Sequence, residues 1–451
     1  MVIQFKNRKK ELNEISEVLE SKKFELLIIY GRRRIGKTEL ALKGTEKKSR
    51  IYYLAIGENN LERFYNVCLA HFPEISRIKQ DWEALFDFLK DRAGAVVLDE
   101  FQNMIKEDRN ILHLFQSIVD LTLKNSRLKL ILLGSSVSII TSKVLEQGSP
   151  LYGRRTGSMH LKAISFFDLH LFFPKAKIEE LIEIYGFADG IPFYLIRIDK
   201  GLWPWLKEEI KSERSFLKDE VDFLMKYEFE DAGTYKLILE AIANGKTKLN
   251  EIKDFIRVKR TDISPYLKSL IDVKMIKRLV PITENEKSRK GRYYLADSFL
   301  KFWFKYIYPN ISAIEEGIFD IAIIKSNYPE YLGKVFEDIA VQYLIKERRA
   351  LIKFNKIGKW WHKDVEIDIV AFDETTKSAL FAECKWKESV NAAEIVKLLS
   401  QKAGMVLWNN GGRKEAFAVF AKSFSKKITE FEGKRVLCFD LADLERALNK
   451  S

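Results

Sequence analysis

The sequence predicts an α/β protein: a parallel sheet with helices at the N-terminus, a small helical module in the middle, and a second α/β module at the C-terminus. Three stretches carry that expectation. "FELLIIYGRRRIGKTELALKG" runs from an apolar β-branched segment (Leu26 to Ile29) through a glycine-rich turn into helical spacing at Leu40 and Leu42. "GTYKLILEAIANGKTKLNEIKDFIRVKRTDISPYLKSLIDVKMIKRLVPITENEKSRKGRYYLAD" holds three amphipathic helical periods and then two strand-like runs around a charged tip, Thr283 to Gly291. "DVEIDIVAFDETTKSALFAECKWK" alternates over two runs joined by a turn-rich hexapeptide.

Size and composition bound what these pieces belong to. At 451 residues the chain exceeds one core, and about three domains are expected. With 47% hydrophobic and 12% aromatic residues it can bury large cores. A formal charge of +13 favours phosphate-bearing partners, although a Lys- and Glu-rich surface with few His and Cys also fits a thermophile's surface chemistry. Three scattered cysteines, Cys68, Cys384 and Cys438, form no C-x-x-C pair and no disulfide framework. No basic-then-apolar leader opens the sequence and no run reaches 18 apolar residues, so the expectation is a cytoplasmic protein without membrane contact.

The first stretch has the spacing Gly31-x-x-x-x-Gly36-Lys37-Thr38, with Arg32, Arg33, Arg34 and Ile35 between the glycines. This is a P-loop between a strand and a helix. Its backbone N–H groups turn toward the phosphates of ATP, Lys37 supplies a point charge, and the Thr38 hydroxyl ligates Mg²⁺. The pattern arises by chance in roughly one or two chains per hundred of this length, and the flanking strand and helix lower that further. Only backbone is needed to cradle phosphate, so the three arginine side chains are expected to face solvent or to dock.

A P-loop calls for a second strand ending in a carboxylate, and "AGAVVLDEFQ" offers Asp99 for the Mg²⁺ shell. Glu100 follows, where a carboxylate can polarise the attacking water. "LKLILLGSS" is a third buried strand whose Ser135 is placed to sense the γ-phosphate; a plain turn after a strand is the other reading. "SPLYGRRTG" puts Arg154 and Arg155 in a glycine-rich turn, either as an arginine finger within or between subunits or as a solvated basic loop.

"FKNRKKELNEI", "GRRRIGKTEL", "VVLDEFQ", "LILLGSS", "SPLYGRRTG", "ISFFDLHLFFP" and "GIPFYL" together resemble the archaeal P-loop ATPases related to AAA+ and STAND proteins, over about residues 1 to 200. The resemblance implies ATP as nucleotide and a RecA-like, additional-strand parallel sheet with the two Walker strands adjacent. It departs at Asn7, where glycine is expected, on the adenine-side loop.

In the middle, residues 176–228 read as a helical lid after a P-loop domain over 1–175. Residues 229–297 have the order of a winged-helix domain, with Thr261 to Ile271 as the recognition helix. Lys259, Arg260, Tyr266 and Lys268 would meet DNA there, and Lys287, Arg289, Lys290 and Arg292 would make phosphate contacts on the wing. A protein-docking role is the alternative.

The last domain, 298–451, opens on "LADSFLKFWFKYIYPN", read as core, and resembles the domain of unknown function that accompanies many of these ATPases. In "YLGKVFEDIAVQYLIKE", Glu337 falls among apolar neighbours on a helix. Strand alternation puts Glu366 and Asp368 on one face and Ile367 and Ile369 on the other, with Phe381, Glu383 and Lys385 sharing a face of the returning strand. Carboxylates beside a lysine suit Mg²⁺-dependent phosphodiester hydrolysis: the oxygens hold a hard cation and the lysine orients or deprotonates water. The order is similar to the PD-(D/E)xK nucleases of restriction-endonuclease-like fold. That resemblance assigns Glu337, Asp368 and Glu383 to metal and Asp368, Glu383 and Lys385 to catalysis, with Ile367 where a proline is common. Residues 390–403 would form the next helix and "EAFAVFAKS" a core strand.

The function expected is an ATP-hydrolysing protein acting on nucleic acid, DNA before RNA, as single chains or as a homo-oligomer. An ATP-dependent switch or DNA-binding regulator with an inactive C-terminal docking domain is the alternative.

Overall fold

Five strands build the N-terminal sheet: β1 (Glu25–Tyr30), β2 (Arg50–Leu54), β3 (Ala95–Asp99), β4 (Lys129–Gly134) and β5 (Gly157–His160). In this computed structural model, which describes residues 5–229, 231–257, 262–348 and 351–449, they run in the order β2-β3-β4-β1-β5 with every pairing parallel. β3 and β4 are buried at every residue, as expected for near-continuous apolar strands covered on both faces. Leu26, Ile28, Val96, Leu98, Leu130 and Leu132 pack against Phe64, Phe86, Phe101 and Phe115 on one side of the sheet. Phe86 and Phe115 meet edge-to-face with centroids 5.5 Å apart. The helix Trp82–Leu89 that supplies Phe86 is capped by Asp81, which accepts from Ala84 N at 2.7 Å, a cap worth about 1 kcal/mol.

One expectation fails here. The P-loop strand β1 and the Asp99 strand β3 are not neighbours, because β4 lies between them and pairs with both. The unbroken apolar run "KLILLG" suits a central strand, and no local pattern in β1 or β3 records which strand it pairs with. At the start of the chain, Asn7 and Arg8 both have left-handed backbone, φ 66° and 68°. Asn7 thus occupies a conformation that glycine takes freely and asparagine tolerates, and its Oδ1 accepts from Arg8 N at 2.7 Å.

These strands, with the other described residues up to Ala163 and with Ile191–Phe193 and Asp272–Lys274, form one unit; Ile164–Gly190, Tyr194–Ile271 and the described residues from Met275 onward form a second. In the second, helices Gly233–Ala243, Leu249–Ile256 and, up to Ile271, Ser264–Asp272 precede a hairpin of β6 (Ile276–Leu279) and β7 (Arg292–Leu295). Lys259, Arg260 and Thr261 lie outside the described residues. Tyr266 is half-buried with its ring edge-on to Tyr235, 5.0 Å away, while Lys268 is exposed.

The C-terminal sheet contains β8 (Lys356–His362), β9 (Val365–Asp373), β10 (Ser378–Lys385), β12 (Lys414–Ala421), β14 (Glu430–Phe431) and β15 (Lys434–Phe439), while β11 (Val390–Asn391) pairs with β13 (Phe424–Lys426). The order is β14-β15-β12-β10-β9-β8, with β10, β12 and β15 parallel and the β8, β9 and β14 pairings antiparallel. Helix Ala392–Gly404 covers it with Val396, Leu399 and Ala403, a helical spacing that buries one face. Phe299, Phe302, Trp303, Phe304 and Ile307 are all buried, so the aromatic segment is core.

The hairpin and this sheet are joined. Ile282 N donates to Lys359 O at 2.8 Å and its side chain lies in the core of the sheet. Trp361 Nε1 donates to Lys290 O at 3.1 Å. Arg292, expected as a wing phosphate contact, instead donates to Glu366 at 2.9 Å and lies over the Trp361 ring, so its charge is already engaged. Lys290 pairs with Glu284 at 2.6 Å, while Lys287 and Arg289 are exposed cations of that tip. No helix among the described residues is long and apolar enough to cross a membrane.

Candidate functional site

The loop after β1 is shaped by two glycines. A Cβ at Gly31 would collide with the carbonyl oxygen of Leu161, and Gly36 has φ +89° at the entry to helix Lys37–Gly44. Arg34 also adopts positive φ, 69°, and its guanidinium lies 3.9 Å over the Phe193 ring. A cation–π contact of that kind returns roughly the 1 kcal/mol that left-handed backbone costs. Lys37 Nζ donates to Arg32 O at 3.0 Å, drawing the loop around the helix N-terminus, where the first N–H groups have no intrahelical acceptor.

Asp99, at the end of β3, is buried and faces this loop. Thr38 Oγ1 donates to its Oδ2 at 2.6 Å, Tyr52 OH to the same oxygen at 3.0 Å, and Glu100 N to Oδ1 at 2.8 Å. Burial, and behind it the Asp99 carboxylate, pushes the Tyr52 phenol well above its ordinary value, so Tyr52 remains a donor. Glu100 has φ +52°, and its carboxylate accepts from Gln102 Nε2 and Ser135 Oγ while Arg33 stands 3.7 Å away. Gln102 Nε2 also donates to Ser135 Oγ at 3.0 Å.

Thus Lys37, Thr38, Asp99, Glu100 and Ser135 come together, with β4 delivering Ser135 between the two Walker strands. Of the two roles expected for the arginine side chains, facing solvent or docking, Arg33 and Arg34 take contacts within the protein: Arg33 stands 3.7 Å from Glu100 and Arg34 lies over Phe193. Tyr52 and Gln102 were missed; Gln102 was legible three residues after Asp99, whereas nothing in "RIYYL" marks Tyr52.

Arg154 and Arg155 are not brought to this cluster. Thr156 N donates to Leu26 O at the start of β1, the end opposite the P-loop, on the order of 15 Å of strand away. There Arg154 forms a forked pair with Asp120, at 2.7 and 3.1 Å, which holds that carboxyl below its usual range. Arg155 lies over Tyr152.

In the second unit the strand register assembles another cluster. β9 and β10 pair Ile369 with Ala382, so the next step sets Asp368 across from Glu383, and Cys384 N donates to Asp368 Oδ2 at 2.9 Å. β8 and β9 pair Gly358 with Val370 but Trp360 with Ile367, so Lys359 alone faces Asp368 and Ile369. This bulge breaks the expected alternation: Ile367, Val370 and Phe372 share one core, and Ile369 is not among them.

Lys359 and Lys334 both donate to Glu337, Lys334 at 2.8 Å. Lys385 donates to Glu383 at 2.8 Å, and Lys402, from helix Ala392–Gly404, approaches both Glu383 oxygens at 3.3 Å. Burial, then the Glu383 charge, raises the Asp368 carboxyl above its usual value; burial, opposed by Lys359, raises that of Glu337. Among the described residues no group of three or more His, Cys, Asp or Glu side chains stands close enough to hold a metal ion. The structure therefore gathers the four expected residues with three additional lysines. Lys359 and Lys402 come from a separate strand and a later helix, and spacing around "FAECKW" cannot reveal them.

The parallel sheet, the glycine-rich loop at its helix and the Thr38–Asp99 pair define a P-loop ATPase. Comparison with known proteins agrees: residues 5–198 match the model of an ATPase domain predominantly from Archaea, and residues 303–397 match one described as archaeal and bacterial proteins of unknown function. The uncharacterized protein MJECL04 of Methanocaldococcus jannaschii is 50% identical over 444 residues, covering 97% of this chain and 99% of that protein. The chain belongs to this archaeal ATPase family. The uncharacterized ATP-binding protein MJ0423 of the same organism is 45% identical over 47 residues, 10% of this chain and 80% of that one. The Walker-type ATPase PABY2304 of Pyrococcus abyssi shares the fold, with TM-score 0.52 at 20% identity over 67% of this chain and 96% of its own.

Proposed function

We propose that the protein hydrolyses ATP to drive a nucleic-acid-processing C-terminal domain, DNA being its preferred substrate. In the P-loop site, backbone from Gly31 to Thr38 holds the phosphates with Lys37, and Glu100 orients water while Ser135 reads the γ-phosphate. The Thr38 and Asp99 oxygens, 2.6 Å apart, are hard donors suited to Mg²⁺. Bound there, the cation would neutralise phosphate charge.

The three-helix and hairpin segment is taken as a winged helix, with Lys268, Lys287 and Arg289 exposed for phosphate contact. The C-terminal cluster is taken as a PD-(D/E)xK phosphodiesterase centre. The observation that carries this reading is the register placing Asp368 across from Glu383, beside Lys385 and with Glu337 nearby on its helix. Two carboxylates that repel each other in a buried place supply hard oxygens and gain from a divalent cation between them. In a cleavage assay on single- and double-stranded DNA with Mg²⁺ or Mn²⁺, Asp368→Ala should abolish strand scission. Wild-type protein that cuts neither DNA nor RNA in either metal removes the nuclease assignment and leaves the ATPase standing.

A second reading has its own support. Glu337 and Glu383 already have lysine partners and Asp368 a backbone donor, which suits an ATP-dependent DNA-binding switch whose tail docks without cutting. ATP would then change DNA affinity, steeply weakened by salt, with no strand breaks.

A further inference from the structure

Glu383 is held by two lysines, and only Lys385 belongs to its own strand. Lys385 makes a full hydrogen bond to Oε1 at 2.8 Å; Lys402 stands at 3.3 Å from both oxygens, a longer approach shared between them. Lys402 lies in the last turn of helix Ala392–Gly404, whose Val396, Leu399 and Ala403 are fixed in the core, so the helix and not the strand sets where its ammonium stands. Counting Lys334 and Lys359 on Glu337, four ammonium groups surround three carboxylates.

Stability does not account for the fourth. One lysine balances the Glu383 charge. Ordering a second long side chain that is 30% exposed costs rotamer entropy that a partly solvated ion pair does not return. A surplus cation beside two buried carboxylates is instead suited to an anion arriving from solution.

We propose that Lys402 is a phosphate-contacting residue of this site. Its ammonium donates to a non-bridging phosphate oxygen of a nucleic-acid strand laid along the end of β10, from the helix side, while Lys385 acts from the strand side. The inference rests on the nucleic-acid reading above and adds a contact that the E-x-K spacing does not contain.

The test is equilibrium binding of a labelled DNA oligonucleotide by the full chain in chelator without ATP, where cutting is silent. Wild type, Lys402→Met, Lys402→Arg, Glu383→Gln and the Glu383→Gln/Lys402→Met double variant are compared. In the Glu383→Gln background Lys402 has no carboxylate charge to balance, so any remaining effect of its loss is on the ligand. Lys402→Met should weaken binding about tenfold in both backgrounds and lower the salt slope by about one, while Lys402→Arg keeps most of the affinity. Equal affinity of Glu383→Gln with and without Lys402→Met overturns the proposal, whatever the melting temperatures do. Absence of oligonucleotide binding by wild type overturns it together with the nucleic-acid reading. Binding without cutting removes only the nuclease reading, and the Lys402 comparison still decides.

Discussion

The two clusters hold their carboxylates in opposite ways. In the P-loop unit Asp99 and Glu100 are bonded by Thr38, Tyr52, Gln102 and Ser135, all neutral donors, and the Arg33 guanidinium stands 3.7 Å from Glu100. In the second unit Glu337 and Glu383 are bonded by lysines, two to each. Carboxylates bonded by neutral donors suit a cation carrying phosphate. Carboxylates flanked by ammonium groups suit an anionic strand, and the fold around them depends on those groups. Neutral donors are therefore expected to matter little for stability, and buried lysines much.

The largest expected effects fall on chemistry in the first cluster. Lys37→Ala should reduce ATP turnover by about a hundredfold or more, measured as phosphate release, because it removes the point charge at the entry to the helix on which phosphate binding is proposed to depend. Wild-type turnover in the variant contradicts the site. Glu100→Gln should slow hydrolysis about a hundredfold while ATP still binds, as removal of a base that orients water does; loss of binding would instead give Glu100 a role in the loop's structure.

Next comes Lys359→Met. It leaves Glu337 buried with, among the described residues, only the largely exposed Lys334 as ionic partner, and should cost roughly 3 kcal/mol in denaturant unfolding. A loss under about 1 kcal/mol would mean that Glu337 relaxes to other partners and that the contrast between the clusters is overdrawn. The smallest effect is expected from Tyr52→Phe, which removes one of three donors to Asp99. It should cost about 1 kcal/mol and change ATP turnover only a few-fold.

The same contrast decides what was legible in the sequence. The P-loop could be read because its geometry follows from positions at fixed spacing on one strand, turn and helix, and Asp99 because a strand end announces it. The place of β4 between the Walker strands could not, since strand order depends on which apolar edges find each other. In the second unit Glu337, Asp368, Glu383 and Lys385 were readable as a pattern. The bulge at Asp368 and Ile369 was not, because alternation assumes a regular ladder, and with it Lys359 went unseen. The hairpin misled at Arg292, which looked like a surface cation, but its partners Glu366 and Trp361 belong to two strands about seventy positions on, outside any window that sequence periodicity can use.

The coupling proposed above has ATP turnover in the first unit drive nucleic-acid processing in the second. It is tested most directly by the rate of metal-dependent DNA cleavage at saturating ATP, wild type against Lys37→Ala, each with and without nucleotide. Cleavage by wild type should rise with ATP, and the variant should show no response to ATP. Equal cleavage by both proteins, unchanged by ATP, would contradict it.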